Sequence, residues 1–370
     1  MAQNDERVVR VTFEDLEKVT LPETSAATVT PAGTATAGGR SYGNINAAEP
    51  GAPAITEEKG SFLLQGWFYL GAAGLIGALA GWAISEPWYG AQEMSGEHNI
   101  SSLVLSIVLI MLVVSGMISC FGLAESLVER SMQKATKRFL IALPLGALAS
   151  VISSIAATIF YAFGNVFLSM INANAQYSPA HWVVRALAWA VFGVAGGLVY
   201  GLVGGSGKKA KFGVLGGVIG AGLGGFVFDP IGMGIEALHK THEMQGGSVS
   251  RAVGFALFGL ATGAAIGFVE SALKDRWIYV SAGPLAGKQF ILYKPQTTIG
   301  SSQQSDIYLF KDTSISPQHA VLEMRGNQVM LRATQPVYVS GVPTQARVLM
   351  SGDVIQIGRY QFRYNERHRQ

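Results

Sequence analysis

Three places in this 370-residue chain gather side chains able to do chemistry. His239, His242 and Glu243 are close enough in sequence to approach one metal ion, but a closed site needs a fourth fixed ligand that the segment does not supply. Gly204-Gly205-Ser206-Gly207-Lys208-Lys209 has the residue types of a phosphate cradle. It lacks the Gly-x-x-x-x-Gly-Lys-Ser/Thr spacing and joins two apolar stretches rather than a strand to a helix, so it reads as a turn. Ser316-Pro317-Gln318-His319 sets a hydroxyl three residues before an imidazole. A lone histidine there more often braces a loop than moves protons, and no Ser/His/Asp or Cys/His set accompanies it. Cys120, the one cysteine, falls in an apolar stretch and reads as a small packing residue. No catalytic residue, metal or cofactor is expected, and the chain reads as a binding protein rather than an enzyme.

The elements around these residues are mostly apolar. Mean hydropathy is +0.32, and 49% of residues are hydrophobic against 14% charged, with 46 glycines. That composition predicts an α-helical membrane bundle. Six spans are expected, at 62–84, 100–124, 139–163, 182–204, 212–238 and 252–273, each near the roughly 20 residues that cross a hydrocarbon core. No charged n-region and h-region open the chain, so the first span is expected to act as an uncleaved signal. Arg130, Lys134, Lys137 and Arg138 in one connection and Lys208, Lys209 and Lys211 in another mark the inner side, which puts both termini in the cytoplasm.

The spans repeat. Arg185 to Val203 matches Arg251 to Val269 at a shift of 66, and Gly74 to Pro87 matches Gly217 to Pro230, both ending in acid-Pro. Gly122, Glu125 and Ser126 recur as Gly267, Glu270 and Ser271. Three related hairpins follow, at 62–124, 139–204 and 212–273, with glycine every fourth residue (Gly193, Gly197, Gly201, Gly205; Gly216, Gly220, Gly224; Gly259, Gly263, Gly267) forming grooves for close helix contact. Arg185 and Arg251, equivalent in the repeat, are expected to pair with Asp229 or Glu236, and Glu125 and Glu270 to be satisfied by water or snorkelling at the span ends.

Residues 1–60 carry five basic and nine acidic side chains, net −4, and read as a disordered acidic cytoplasmic tail in which only Val8 to Leu21 is apolar enough to dock. The bundle is expected over 61–274. Over 275–370, period-two runs (WIYV, QFILY, DIYL, HAVLEM, QVMLRA, VYV, DVIQI, YQFRY) separated by turns predict an all-β sandwich. Twelve basic residues oppose six acidic ones from Lys274 onward, a surface suited to anionic lipid or to the acidic tail. Nucleic acid is not expected, since no aromatic and basic readout motif is present.

Thr298-Ile299-Gly300, Ser305-Asp306-Ile307, Ser314-Ile315-Ser316-Pro317-Gln318-His319-Ala320, Ser340-Gly341 and Ser351-Gly352-Asp353-Val354-Ile355-Gln356-Ile357-Gly358 occur in the order that resembles a forkhead-associated (FHA) domain, a SMAD-like β-sandwich. The resemblance covers about a quarter of the chain; the helical part resembles no named family. It implies phosphothreonine recognition by loops at one end of the sandwich. An Arg after the Ile-Gly pair grips the phosphate, the Ser of Ser-x-x-His bonds it, the His braces the loop, and an Asn before Gly orients the peptide. Here Ser316 and His319 remain, Ser301 followed by Ser302 takes the Arg position, and Ser340, before Gly341, takes the Asn position. A serine hydroxyl cannot replace a guanidinium's charge, so the expectation divides between a phosphothreonine site in which Lys311 or Arg325 compensates and a degenerate, phospho-independent docking site.

Such domains occur on inner-membrane components of secretion machines, which implies scaffold work in a bacterial inner membrane. The expected protein is therefore a membrane-anchored adaptor for cytoplasmic partners, with its own tail around Thr12 and Asp15, membrane lipid and a second copy as further contacts. The alternative is a channel or transporter regulated by the FHA domain.

Overall fold

The computed structural model describes residues 58, 60–95, 100–171, 179–239 and 246–367. The expected tail motif at Val8 to Leu21, Thr12 and the metal candidates His242 and Glu243 lie outside them. Among the described residues six helices are long and apolar enough to cross a membrane: α1 (Gly66–Ser95), α2 (Ile100–Val128), α3 (Met132–Ile171), α4 (Pro179–Val203), α5 (Gly207–His239) and α6 (Gly246–Leu273). All six expected spans are present, and most helices run past the expected bounds. The largest difference is α3, 40 residues long, because Ser131 caps its start, the N–H of Lys134 donating to Ser131 Oγ at 3.4 Å, and the basic 132–138 segment continues the helix beyond the apolar run. Pro87, Pro144 and Pro230 lie inside helices without ending them, which neighbouring helices make tolerable.

Each helix packs on its sequence neighbours and α6 returns to α1, closing a ring. The repeat is written into these contacts. A Cβ added at Gly193 would collide with Gly217, and one at Gly259 with Gly74; Gly197 faces Gly213 as Gly263 faces Leu70; Gly201 faces Ala210 as Gly267 faces Gly66 and Trp67. The other interface repeats too, with Gly220 on Thr262 and Gly77 on Met117, then Gly224 on Phe258 and Gly81 on Val113. Equivalent positions thus make equivalent backbone contacts in successive hairpins, the arrangement of a pseudo-threefold ring. The third interface, between α2 and α3, is the diverged one, with Ala142 and Ile118 facing Gly122 and Gly146. Gly205 departs from the expected groove: at φ +70° it forms the α4–α5 turn.

Two ion pairs repeat likewise. Arg185 Nη1 lies 3.0 Å from Asp229 Oδ1, as expected. Arg251, however, pairs at 2.6 Å with Glu86. The acid-Pro motif explains it: Glu86-Pro87 on α1 is the repeat equivalent of Asp229-Pro230 on α5.

Nine strands follow: β1 (Arg276–Ala282), β2 (Gln289–Ile291), β3 (Gln296–Gly300), β4 (Ile307–Tyr308), β5 (Ala320–Arg325), β6 (Gln328–Val339), β7 (Val342–Leu349), β8 (Val354–Ile357) and β9 (Tyr360–Glu366). Their order is β2-β1-β9-β8-β6-β5-β3-β4, with β7 also on β6. The sheet folds over a core that includes Ile278, Val280, Ile299, Leu322, Leu331, Val339, Ile355 and Phe362, as the alternation predicted. The expected strands QVMLRA and VYV are one strand, β6, with an irregularity between Arg332 and Val337. β7 was not expected, because its inward and outward residues do not alternate in polarity. Before the first helix, Glu58 donates its backbone N–H to Ser281 O at 2.8 Å.

Candidate functional site

The loops after β3 and before β5 are tied together at one end of the β domain. Gly300 ends β3 where a Cβ would collide with the Pro317 carbonyl, so glycine is needed there to let the loops close. Ser301 N donates to Ser316 O at 2.9 Å, Ser302 N to Pro317 O at 3.4 Å, and Ser305 Oγ to Pro317 O at 3.0 Å. His319 is buried. Its Nδ1 accepts from Ser316 N at 3.3 Å and its Nε2 lies 3.2 Å from Pro336 O, so these partners assign the proton to Nε2. Both ring nitrogens are used inside the fold. The histidine is a brace.

Asp306 anchors the β3–β4 loop. Oδ1 accepts from Lys294 at 2.7 Å, and Oδ2 accepts from Thr298 N and Oγ1 at 2.9 and 3.0 Å. Burial pushes its carboxyl up, but the bonds from Lys294 and Thr298 outweigh that and hold it below the usual carboxylate range. Ser340 and Gly341 both have positive φ, 51° and 84°, and form the two-residue turn between β6 and β7. Ser340 Oγ lies 3.2 Å from Asp353 Oδ1, so the hydroxyl at the Asn position is engaged within the domain.

The structure therefore gathers Ser301, Ser302, Ser316 and His319. Lys311 is exposed in the loop after β4 at φ 64°, its carbonyl accepting from Arg359 at 3.4 Å. Arg325 does not join the site. It ends β5, which runs away from Ala320 at the apex, and it pairs with Glu323 at 2.9 Å. Charge counting also overstated the free basic surface: Arg276 pairs with Glu366, Lys294 with Asp306, Arg332 with Glu323 and Arg347 with Asp353, while Lys288 is buried.

Sequence reasoning missed what the apex rests on. Ser131 Oγ donates to Gln303 O at 2.9 Å, Gln133 N to Gln303 Oε1 at 3.1 Å and Lys134 Nζ to Asp306 O at 2.9 Å, while Arg130 stacks on Phe310 at 5.5 Å. The tip of the β3–β4 loop is thus seated on the α2–α3 turn. Nearby, Tyr293 and Tyr200 donate to the two oxygens of Glu270 at 3.1 and 3.0 Å, and Glu125 accepts from Lys209 and Arg138 at 2.7 and 2.9 Å. These carboxylates are satisfied by protein groups, not by snorkelling. Lys288 Nζ donates to Tyr69 OH at 3.1 Å; burial lowers its ammonium's pKa. A polar cavity of about 120 Å³ remains between the helix ends and the β domain, with walls that include Glu125, Glu129, Lys209 and Glu270.

Residues 279–368 match the family model described as "Inner membrane component of T3SS, cytoplasmic domain". The oxoglutarate dehydrogenase inhibitor of Corynebacterium glutamicum is 36% identical over 86 residues, 22% of this chain and 59% of that protein. The protein of the same description from Corynebacterium jeikeium is 33% identical over 121 residues, 32% of this chain and 76% of that one. The solved FHA domain of the CT664 protein from Chlamydia trachomatis is 26% identical, covering 26% of this chain and all of that chain at a TM-score of 0.24. The chain spans little more than half of the first of these curated relatives.

Proposed function

This chain belongs to the forkhead-associated family through its carboxyl-terminal domain, and we propose that it is a membrane-anchored adaptor that recruits a cytoplasmic protein without depending on phosphothreonine. The observation that carries this reading is the apex itself. Ser301 stands where the resemblance calls for a guanidinium, its loop is closed by neutral bonds to Ser316 and Pro317, and Arg325 is at the far end of β5. A neutral hydroxyl does not give a dianion the charge-assisted bidentate bond that selects it over an unmodified side chain. Ser316, Ser302, Ser340 and Gly341 then serve peptide backbone, with Lys311 at the rim.

The proposed setting is a bacterial inner membrane with both termini in the cytoplasm, and the six-helix ring is the anchor. A pull-down of the full chain from membranes with and without phosphatase treatment tests the reading. The same partners are expected in both arms, and partners lost on phosphatase treatment would refute it. Cysteine labelling tests the topology, with Ser95→Cys reacting from outside and Thr136→Cys not. One observation favours the alternative, a channel or transporter regulated by its FHA domain: the β domain covers one end of the ring through Tyr293 and Lys288. Solute flux in reconstituted vesicles that changes when Tyr293 is replaced by Phe would establish it.

A further inference from the structure

At the end of the ring remote from the β domain, residues of all six helices line an open cavity of about 390 Å³. Because all six helices line it, it is not a crevice between two lipid-facing helices. Its walls are aromatic and aliphatic, with Trp189, Phe192, Phe228 and Phe255 among them. Further along the axis Met117, Ile118, Phe121 and Phe258 are almost completely buried, so the cavity ends blindly on a packed layer. Into this apolar vestibule the fold brings two guanidiniums from repeat-equivalent positions, Arg185 and Arg251, while neither Asp229 nor Glu86 contributes to the lining.

Arg185 is under-bonded. Nη1 pairs with Asp229 at 3.0 Å and Nη2 donates to Tyr161 OH at 3.1 Å, while the buried Nε and the buried Asp229 Oδ2 have no hydrogen-bond partner among the described residues. Nε is shielded from the cavity, but Nη1 and Nη2 each keep a second N–H, and through these a ligand oxygen meets Arg185. We infer that this vestibule is a binding site for a small amphipathic organic anion, a carboxylate carrying an apolar or aromatic body. The body fills the aromatic walls and the carboxylate takes a charge-assisted bond from Arg185. Organic cations meet only the donor N–H groups of the guanidiniums, since neither carboxylate lines the cavity, and neutral analogues forgo the charge-assisted bond. This site is independent of the FHA reading.

The test is equilibrium binding to the full chain in phosphatidylcholine nanodiscs, corrected for partition into empty discs, with phenylbutyrate, phenylbutanol and phenylbutylamine as probes. Saturable binding of phenylbutyrate is expected, with the alcohol and the amine weaker by at least about tenfold. Arg185→Gln should bring the acid down to the alcohol's affinity. Ser106→Phe, which fills the vestibule from α2 without touching an ion pair, should abolish binding of the acid, and it carries the test if the Arg185 variant does not fold. No saturable binding, equal affinity for the three probes, or acid binding unchanged in a folded Ser106→Phe protein would overturn the inference.

Discussion

Gly197 offers the sharpest test of how the ring is held together. Its α-hydrogen faces the backbone of Gly213, and a Cβ would fall inside contact distance of that residue's carbonyl and of Val214 N. Backbone cannot rotate aside as a side chain can, so even Gly197→Ala must push α4 from α5. Two terms oppose each other. Alanine in place of a helical glycine gains about 1 kcal/mol in propensity, while overpacking a close contact costs about 1–3 kcal/mol. Gly234, also within α5, has nothing within 4 Å of its virtual Cβ, so Gly234→Ala collects the gain alone. The two alanine variants should therefore differ by about 2 kcal/mol, near 4–8 °C in melting temperature for a body of this size. Gly263→Ala, the repeat equivalent facing Leu70, should match Gly197→Ala, and the leucine variants should be worse. Leu198→Ala should matter less, because Leu198 is exposed on the ring's outer surface. Thermal unfolding of the full chain in detergent reads them all. If Gly197→Ala and Gly263→Ala melt with Gly234→Ala, the helix approach does not stabilise the ring and the packing account is wrong.

Arg251→Gln should destabilise the ring by about 3–5 kcal/mol, because it leaves Glu86 largely buried and uncompensated, and the double variant with Glu86→Gln should recover most of that in a thermal melt. Ser131→Ala removes both the cap of α3 and the bond to Gln303 O, costing about 1–2 kcal/mol, and amide exchange over 301–306 should rise while β8 and β9 stay protected. Asp306 has a folded-state pKa below its unfolded value, so its stabilisation is complete above the usual aspartate range and is lost as pH falls through the folded value. Asp306→Asn should therefore flatten the acid limb of the stability profile, and an unchanged limb would show that the Lys294 and Thr298 bonds contribute nothing. Ser301→Arg should confer phosphothreonine dependence on partner binding if the loop geometry is otherwise intact; binding that stays blind to phosphatase treatment would show that more than the anchor is missing.

Six helices, the hairpin repeat and the β-sandwich could be read from the chain because each rests on a periodic property: about 20 apolar residues per span, glycine at every fourth position, alternation every second residue. The His319 brace and the Arg185–Asp229 pair were legible for a related reason, since local motif and repeat position limited their partners. Arg251 showed the limit of that reasoning, because two carboxylates lay within reach and only ring closure between α6 and α1 chose Glu86. What joins elements distant in sequence was invisible. Ser131 and Gln303 lie 172 residues apart, as do Lys134 and Asp306, and the one motif among them, at Asp306, says nothing of its partner. Lys288 reads as one more cation of a basic domain until the fold buries it on Tyr69. The sequence by itself determined which segments must leave water and with what period. Only the tertiary structure decided which polar groups meet once they have left, because a buried charge takes its partner from whichever element the packing sets beside it.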